Sequence, residues 1–153
     1  MSTFDFYRCE KCGNIVALVK VGGGTLTCCG QSMTKLVSNS TDAAQEKHVP
    51  VVTREGGQIK VEVGSTLHPM LPEHYIEWIA FVTGDHVEFK FLKPGKEPKA
   101  EFADAESGTI YAYCNLHGLW ESYLISEEEF TVPYEAACSA EFSEGCIIQD
   151  YSE

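Results

Sequence analysis

Four cysteines stand within the first 29 residues, Cys9, Cys12, Cys28 and Cys29. No other feature constrains the fold as strongly. The stretch that carries them, YRCEKCGNIVALVKVGGGTLTCCGQSM, is short and Gly-rich, too small to build much of a hydrophobic core. Four thiolates around one metal ion supply the missing folding energy. Cys9 and Cys12 form a CxxC knuckle, and Cys28 and Cys29 are adjacent after a predicted hairpin. Donor chemistry alone does not choose between zinc and iron. Most zinc ribbons use a second CxxC where this chain has adjacent cysteines. A centre closed by four sulfurs offers a substrate no open position, so its role is structural or electron-relaying.

The other residues exceed what such a module needs. A chain of 153 residues holds one ordinary domain, or a small module joined to a domain of about 100 residues. Hydrophobic residues make up 44% of it, which is enough for a buried core. No apolar run approaches the roughly 20 residues of a membrane span. MSTFDFYRCEKCG has neither the basic start nor the apolar core of a secretory signal. The expected location is therefore the cytoplasm, where thiols stay reduced and seven cysteines point to metals before disulfides. The net charge is -12, and nine of the 23 acidic residues but none of the 11 basic ones lie in 121–153. That balance argues against nucleic acid, which needs clustered positive charge.

Four regions emerge. Residues 1–36 form the cysteine module, and 37–47 a mostly polar linker. Residues 48–120 form an all-β domain, and 121–153 an acidic extension. In QIKVEV, Ile59, Val61 and Val63 point one way and Gln58, Lys60 and Glu62 the other. HVEFKF repeats the pattern, with Val87, Phe89 and Phe91 opposite His86, Glu88 and Lys90. YIEWIAFV and TIYAYC are two further β-rich runs. Glu55-Gly56-Gly57-Gln58 is a hairpin signal. Short strands at this spacing predict an immunoglobulin-like antiparallel β-sandwich. In the extension, Ser126 and Glu129 fit a capping box and Pro133 could open a short helix. Cys138 and Cys146 there read as reduced thiols, with a disulfide or third metal site as alternatives.

Four of the five histidines fall at strand ends or in turns. His48 follows the linker. His68 and His74 share the Pro-stiffened loop GSTLHPMLPEHY, and His117 follows Cys114 in YCNLHG. His86 sits on the polar face of its strand and is left out. Each histidine alone would default to a structural role; together they are loop residues that a sandwich gathers at its ends. Four imidazoles and one thiolate make five donors, one more than tetrahedral zinc takes. Iron with four nitrogens in a plane and one axial sulfur keeps a sixth position open for a small molecule. The thiolate donates electron density through such a metal, as in haem-thiolate centres.

EKHVPV, TLHPMLPEHYIEWI and YCNLHGLW together resemble the superoxide reductase domain. With the CxxC…CC module, which is similar to desulforedoxin, residues 1–120 resemble a two-iron desulfoferrodoxin. The resemblance implies two irons per chain: Fe(Cys)4 at Cys9, Cys12, Cys28 and Cys29, and a second iron held by His48, His68, His74 and His117 with Cys114 axial. Zinc stands as the alternative metal in the first site. The implied activity is reduction of superoxide to hydrogen peroxide with one electron and two protons. Lys47 would draw the superoxide anion in, and Glu46 would occupy the sixth position of the oxidised metal. The implied partners are rubredoxin or a similar small electron donor and a second copy of the chain, with no nucleic acid and no membrane. Family chains generally stop soon after HGLW, so 121–153 fall outside the resemblance.

Two other readings remain open on the residues. A copper electron carrier wants two histidines, one cysteine and a weak axial methionine. No methionine follows His117, and Met70 lies between His68 and His74. A non-enzymatic module would hold zinc in the first site and use the histidines structurally. Two irons, one copper or one zinc per chain separate the three.

Overall fold

The computed structural model describes residues 4–126. The cysteine module is five short strands: β1 (Asp5–Arg8), β2 (Ile15–Leu18), β3 (Thr27–Cys28), β4 (Gln31–Ser32) and β5 (Thr34–Lys35). β1 is central between β2 and β5, and β3 and β4 pair as a separate hairpin. Phe6 and Cys9 are the buried residues of 4–36. Phe6 is buried against Trp78 and Tyr111 of the following domain, at ring-centroid distances of 5.2 and 5.1 Å. Phe4, Ile15, Ala17 and Leu36 pack partly buried against the same cluster, so the module borrows its apolar core from its neighbour.

A four-residue helix, α1 (Gln45–His48), leads into the sandwich. Its strands are β6 (Pro50–Glu55), β7 (Gln58–Val63), β8 (Ile76–Val82), β9 (Val87–Phe91), β10 (Lys99–Ala103), β11 (Gly108–Cys114) and β12 (Gly118–Leu124). One layer is β10-β7-β6 and the other β12-β11-β8-β9, and the pairings within both are antiparallel. This is the immunoglobulin-like, all-β architecture expected from the alternation. Gly56 and Gly57, at φ 61° and 73°, turn β6 into β7 with Glu55 opposite Gln58. Positive φ at both central residues gives the turn the twist a two-residue hairpin needs.

Ile59, Val61 and Val63 of β7 point into the core against Ile79, Phe81, Ile110 and Phe102. Complete burial of each aliphatic side chain is worth about 2 kcal/mol before entropy is counted. β8 and β11 are buried on both faces, because the outward face is also covered. Trp78, Ala80, Val82, Tyr111 and Tyr113 on that face form a second cluster with Phe6.

HVEFKF behaves differently from QIKVEV. Its apolar face points outward, under the N-terminal module rather than into the sandwich. Val87 and Phe89 are partly buried there, while Phe91, at the end of an edge strand, is 75% exposed. On the opposite face Lys90 lies over the Phe102 ring, and the side chain of His86 is exposed.

The polar stretch after the module is stitched down. Asn39 donates from its backbone to the Leu119 carbonyl and from Nδ2 to that of Glu121, and its Oδ1 accepts from the Glu121 N–H. β12 carries the sheet to Leu124, into the stretch that the sequence assigned to the acidic extension, because Trp120 and Leu124 are buried. Cys138, Cys146 and the helix signal at Pro133 lie outside the described residues. No helix among the described residues is long and apolar enough to cross a membrane.

Candidate metal centres

Adjacent cysteines can serve one metal only if the backbone turns sharply between them. It does: Cys29 has φ 53° and Gly30 φ 75°, the two turn residues between Cys28 and Gln31. On the other side, Cys9 follows β1 and the chain doubles back through Gly13, whose N–H donates to the Cys9 carbonyl at 2.9 Å. All four sulfurs lie within 4.8 Å of one another. Cys12 Sγ is 3.6 Å from Cys28 Sγ, which is 3.9 Å from Cys29 Sγ. A metal tetrahedron with bonds of about 2.3 Å has edges of about 3.8 Å, so the donors fit. Backbone N–H groups of Cys12 and Lys11 lower the Cys9 thiol to about 6. Proton sharing with Cys12 and Cys28 raises Cys29 to about 12. Four thiolates this close repel one another unless a cation sits among them.

The second set is gathered from four places on one end of the sandwich. His48 closes α1, His68 and His74 lie between β7 and β8, Cys114 ends β11, and His117 lies in the turn to β12. Cys114 pairs with Gly118 across that turn, and Gly118 takes φ 75° so that three residues suffice. The five donor atoms lie within 4.8 Å of one another. His48 Nε2 is 2.9 Å from His117 Nδ1, close to the roughly 3.0 Å between neighbouring nitrogens around a metal at 2.1 Å. Cys114 Sγ is 3.7 Å from the same Nδ1. His48 and Cys114 are each at most 2% exposed, as is His68.

Two observations show that these nitrogens are prepared for a cation. His48 Nδ1–H donates to the Ala44 carbonyl at 2.7 Å and His68 Nδ1–H to the Pro69 carbonyl at 2.6 Å. Each such bond fixes the tautomer that leaves Nε2 as a bare acceptor. His68 Nε2 and His74 Nε2 are then buried without a hydrogen-bond partner among the described residues. Orphaned buried polar atoms of this kind are rare unless an ion or water meets them. Burial lowers His68 to about 4 and pushes His48 and His74 down as well, so these three imidazoles are neutral ligands near pH 7. Burial raises the Cys114 thiol, opposed by backbone N–H groups of His117 and Leu116. A metal entering here displaces that proton.

The structure therefore brings together all nine expected metal-binding residues, in two groups. His86 joins neither, as expected; its Nε2 is 3.8 Å from Glu88. Lys47 and Glu46 are exposed on α1 beside His48. The Lys47 charge is felt by both His48 and His74. The Glu46 carbonyl accepts from Ser65 Oγ and the Thr66 N–H, tying α1 to the His68 loop. The sequence reading assigned no role to Trp120. This buried ring stacks on His48 at 4.8 Å and donates from Nε1 to the His117 carbonyl at 3.2 Å. Its place next to the HGL motif was the only sequence signal.

A closed four-sulfur site and a four-histidine, one-cysteine site on an antiparallel sandwich define a two-centre non-haem metalloprotein. Known proteins narrow the class. Residues 40–123 match the Desulfoferrodoxin family, and residues 2–36 match its N-terminal domain. A desulfoferrodoxin of Clostridium acetobutylicum is 52% identical over 118 residues, covering 77% of this chain and 94% of that protein. A superoxide reductase of Pyrococcus horikoshii is 41% identical over 110 residues, covering 59% of this chain and 96% of that one. The crystal structure of the superoxide reductase from Treponema pallidum superposes with a TM-score of 0.64 at 32% identity, over 79% of this chain and 99% of that one. The chain belongs to the desulfoferrodoxin family.

Proposed function

We propose that this chain is a superoxide reductase, converting superoxide to hydrogen peroxide with one electron and two protons. The observation that carries it is the convergence of His48, His68, His74, His117 and Cys114 with two unpartnered Nε2 atoms. When bound there, iron supplies a one-electron couple and a position that the five donors leave open. The protein's own part is electrostatic and positional. The substrate is an anion and the chain carries -12, so bulk charge repels it and a local cation must reverse the field. Lys47 makes no ion pair among the described residues and sits next to His48. Its ammonium attracts superoxide towards the centre by local electrostatic steering. Glu46 is the residue that would take the open position of the oxidised centre.

Several features extend the reading. Cys9, Cys12, Cys28 and Cys29 hold a second iron, with Cys12 and Cys29 at the surface, where an electron can enter. A small one-electron carrier of the rubredoxin kind re-reduces the protein, which works as a homodimer in the cytoplasm. Four histidines in the open cluster favour this reading over a copper carrier, which uses two.

Anaerobically reduced, iron-loaded protein mixed with superoxide should consume it stoichiometrically and produce peroxide without dioxygen. Metal analysis should give two irons per chain. Loaded protein that leaves superoxide untouched would sink the proposal.

A further inference from the structure

The three imidazoles that present Nε2 to the second centre are not held alike. His48 and His68 each have a backbone carbonyl behind the ring, at 2.7 and 2.6 Å. His74 has none: among the described residues its Nδ1 makes no hydrogen bond. Its ring neighbours are the other histidines, His68 at 4.5 Å, His117 at 4.9 Å and His48 at 6.0 Å. The aim of this ring must come from its backbone.

That backbone is gripped on both sides by one side chain. Asn115 Oδ1 accepts from the Tyr75 N–H at 2.9 Å, and Asn115 Nδ2 donates to the Glu73 carbonyl at 3.1 Å. The Asn115 N–H donates to the Tyr75 carbonyl at 3.2 Å. The three bonds bracket His74 and fasten it to the turn that carries Cys114 and His117. They stand just past the register shift between β11 and β8 at Tyr113 and Cys114, where regular strand pairing gives way. A carboxamide suits the place because it offers one donor and one acceptor in a single plane, as a peptide does.

We infer that Asn115 is a positioning residue of the second metal centre, setting the aim of His74 relative to Cys114 and His117. The inference rests on the reading of the five-residue cluster as an iron site. Asn115→Asp keeps the shape and the acceptor but faces the Glu73 carbonyl with a second oxygen, and Asn115→Ala removes both bonds. Partners that orient metal ligands typically change metal affinity by about 10- to 100-fold.

The test uses the full chain and Fe2+ in anaerobic chelator competition, with the ferric absorption band and midpoint potential of the second centre read alongside. Both variants should bind second-site iron about 10- to 100-fold more weakly, with a shifted band and potential and an unaltered first centre. Affinity within about threefold of wild type, with the band unmoved, would overturn the inference. So would an affinity loss that merely follows a lower melting temperature of the metal-free chain. Failure of both variants to fold counts the same way, since Asn115 would then serve the fold and not the aim. Wild-type protein assayed in parallel for superoxide consumption tests the functional reading separately. An inactive, fully loaded wild type with weakened variants would remove the activity and leave the clamp.

Discussion

The two centres are built on opposite principles. The four-cysteine site sits in a module whose buried residues are Phe6 and Cys9, one of the four clustered cysteines. The four-histidine site sits on the end of a two-layer sandwich that has its own aliphatic core, which Cys114 joins. The first has too little core of its own to hold its donors without an ion, whereas the second holds its donors in place by its own packing. Crowded thiols alter each other's protonation in the first, whereas the second is prepared by carbonyls behind His48 and His68. A site that is preorganised can leave a coordination position open, because its donors do not need the ion to stay in place. A site that folds around its ion uses every donor to hold it.

The sharpest attack on this contrast is to take the metals away. Metal-free protein should lose hydrogen-exchange protection throughout residues 4–36 and keep it in β7, β8 and β11. Metal binding to such small modules supplies on the order of 10–16 kcal/mol. If both regions melted together, the first module would have a core that its burial does not reveal. Next in size is Cys114→Ser or His48→Ala. Either should abolish the second centre's absorption and superoxide consumption while sparing the first centre's spectrum. Persistence of both signatures would show that the donors are misassigned.

A smaller effect separates the support from the donors. Gly64 has φ +86°, and a Cβ there would lie 2.4 Å from the Thr66 carbonyl oxygen and 2.7 Å from that of Lys47. Backbone atoms cannot give way as a flexible side chain does. Gly64→Ala should shift α1, costing about 1–3 kcal/mol in strain, and weaken iron binding at the second centre only. Equal losses at both centres would mean that α1 is not a local support. The mildest change is Lys47→Ala. Steering contributes about tenfold or more to association rates at low salt, so capture should slow by about that factor and its dependence on ionic strength flatten. Stopped-flow rates at several salt concentrations check this, and an unchanged rate removes Lys47 from the mechanism.

QIKVEV was legible because its inner face meets a sheet and its outer face meets water, which is the case that alternation encodes. HVEFKF alternates equally well, yet its apolar face lies under a separate module. Phe89 is covered by Phe6, at a centroid distance of 6.4 Å, while Phe91 projects past it. Periodicity reports that a strand has two faces and is silent on what covers them. The two donor clusters were legible because thiols and imidazoles are few in the chain and chemically distinctive. Asn115 and Trp120 were not assigned roles, although both stand in the quoted motif. An amide and an indole have many uses, and only their partners choose among them.

The order of residues alone determined which donors exist, how many there are, and that the chain would build β-structure around them. Local rules suffice for that: side-chain chemistry, alternation, and the glycines at Gly56 and Gly57. Only the tertiary structure decided which donors meet. His48 and His117 are 69 residues apart and touch at 2.9 Å because α1 and the β11–β12 turn are carried to the same end of one sandwich. Convergence of that kind depends on the packing of two sheets, a cooperative property that no segment possesses by itself.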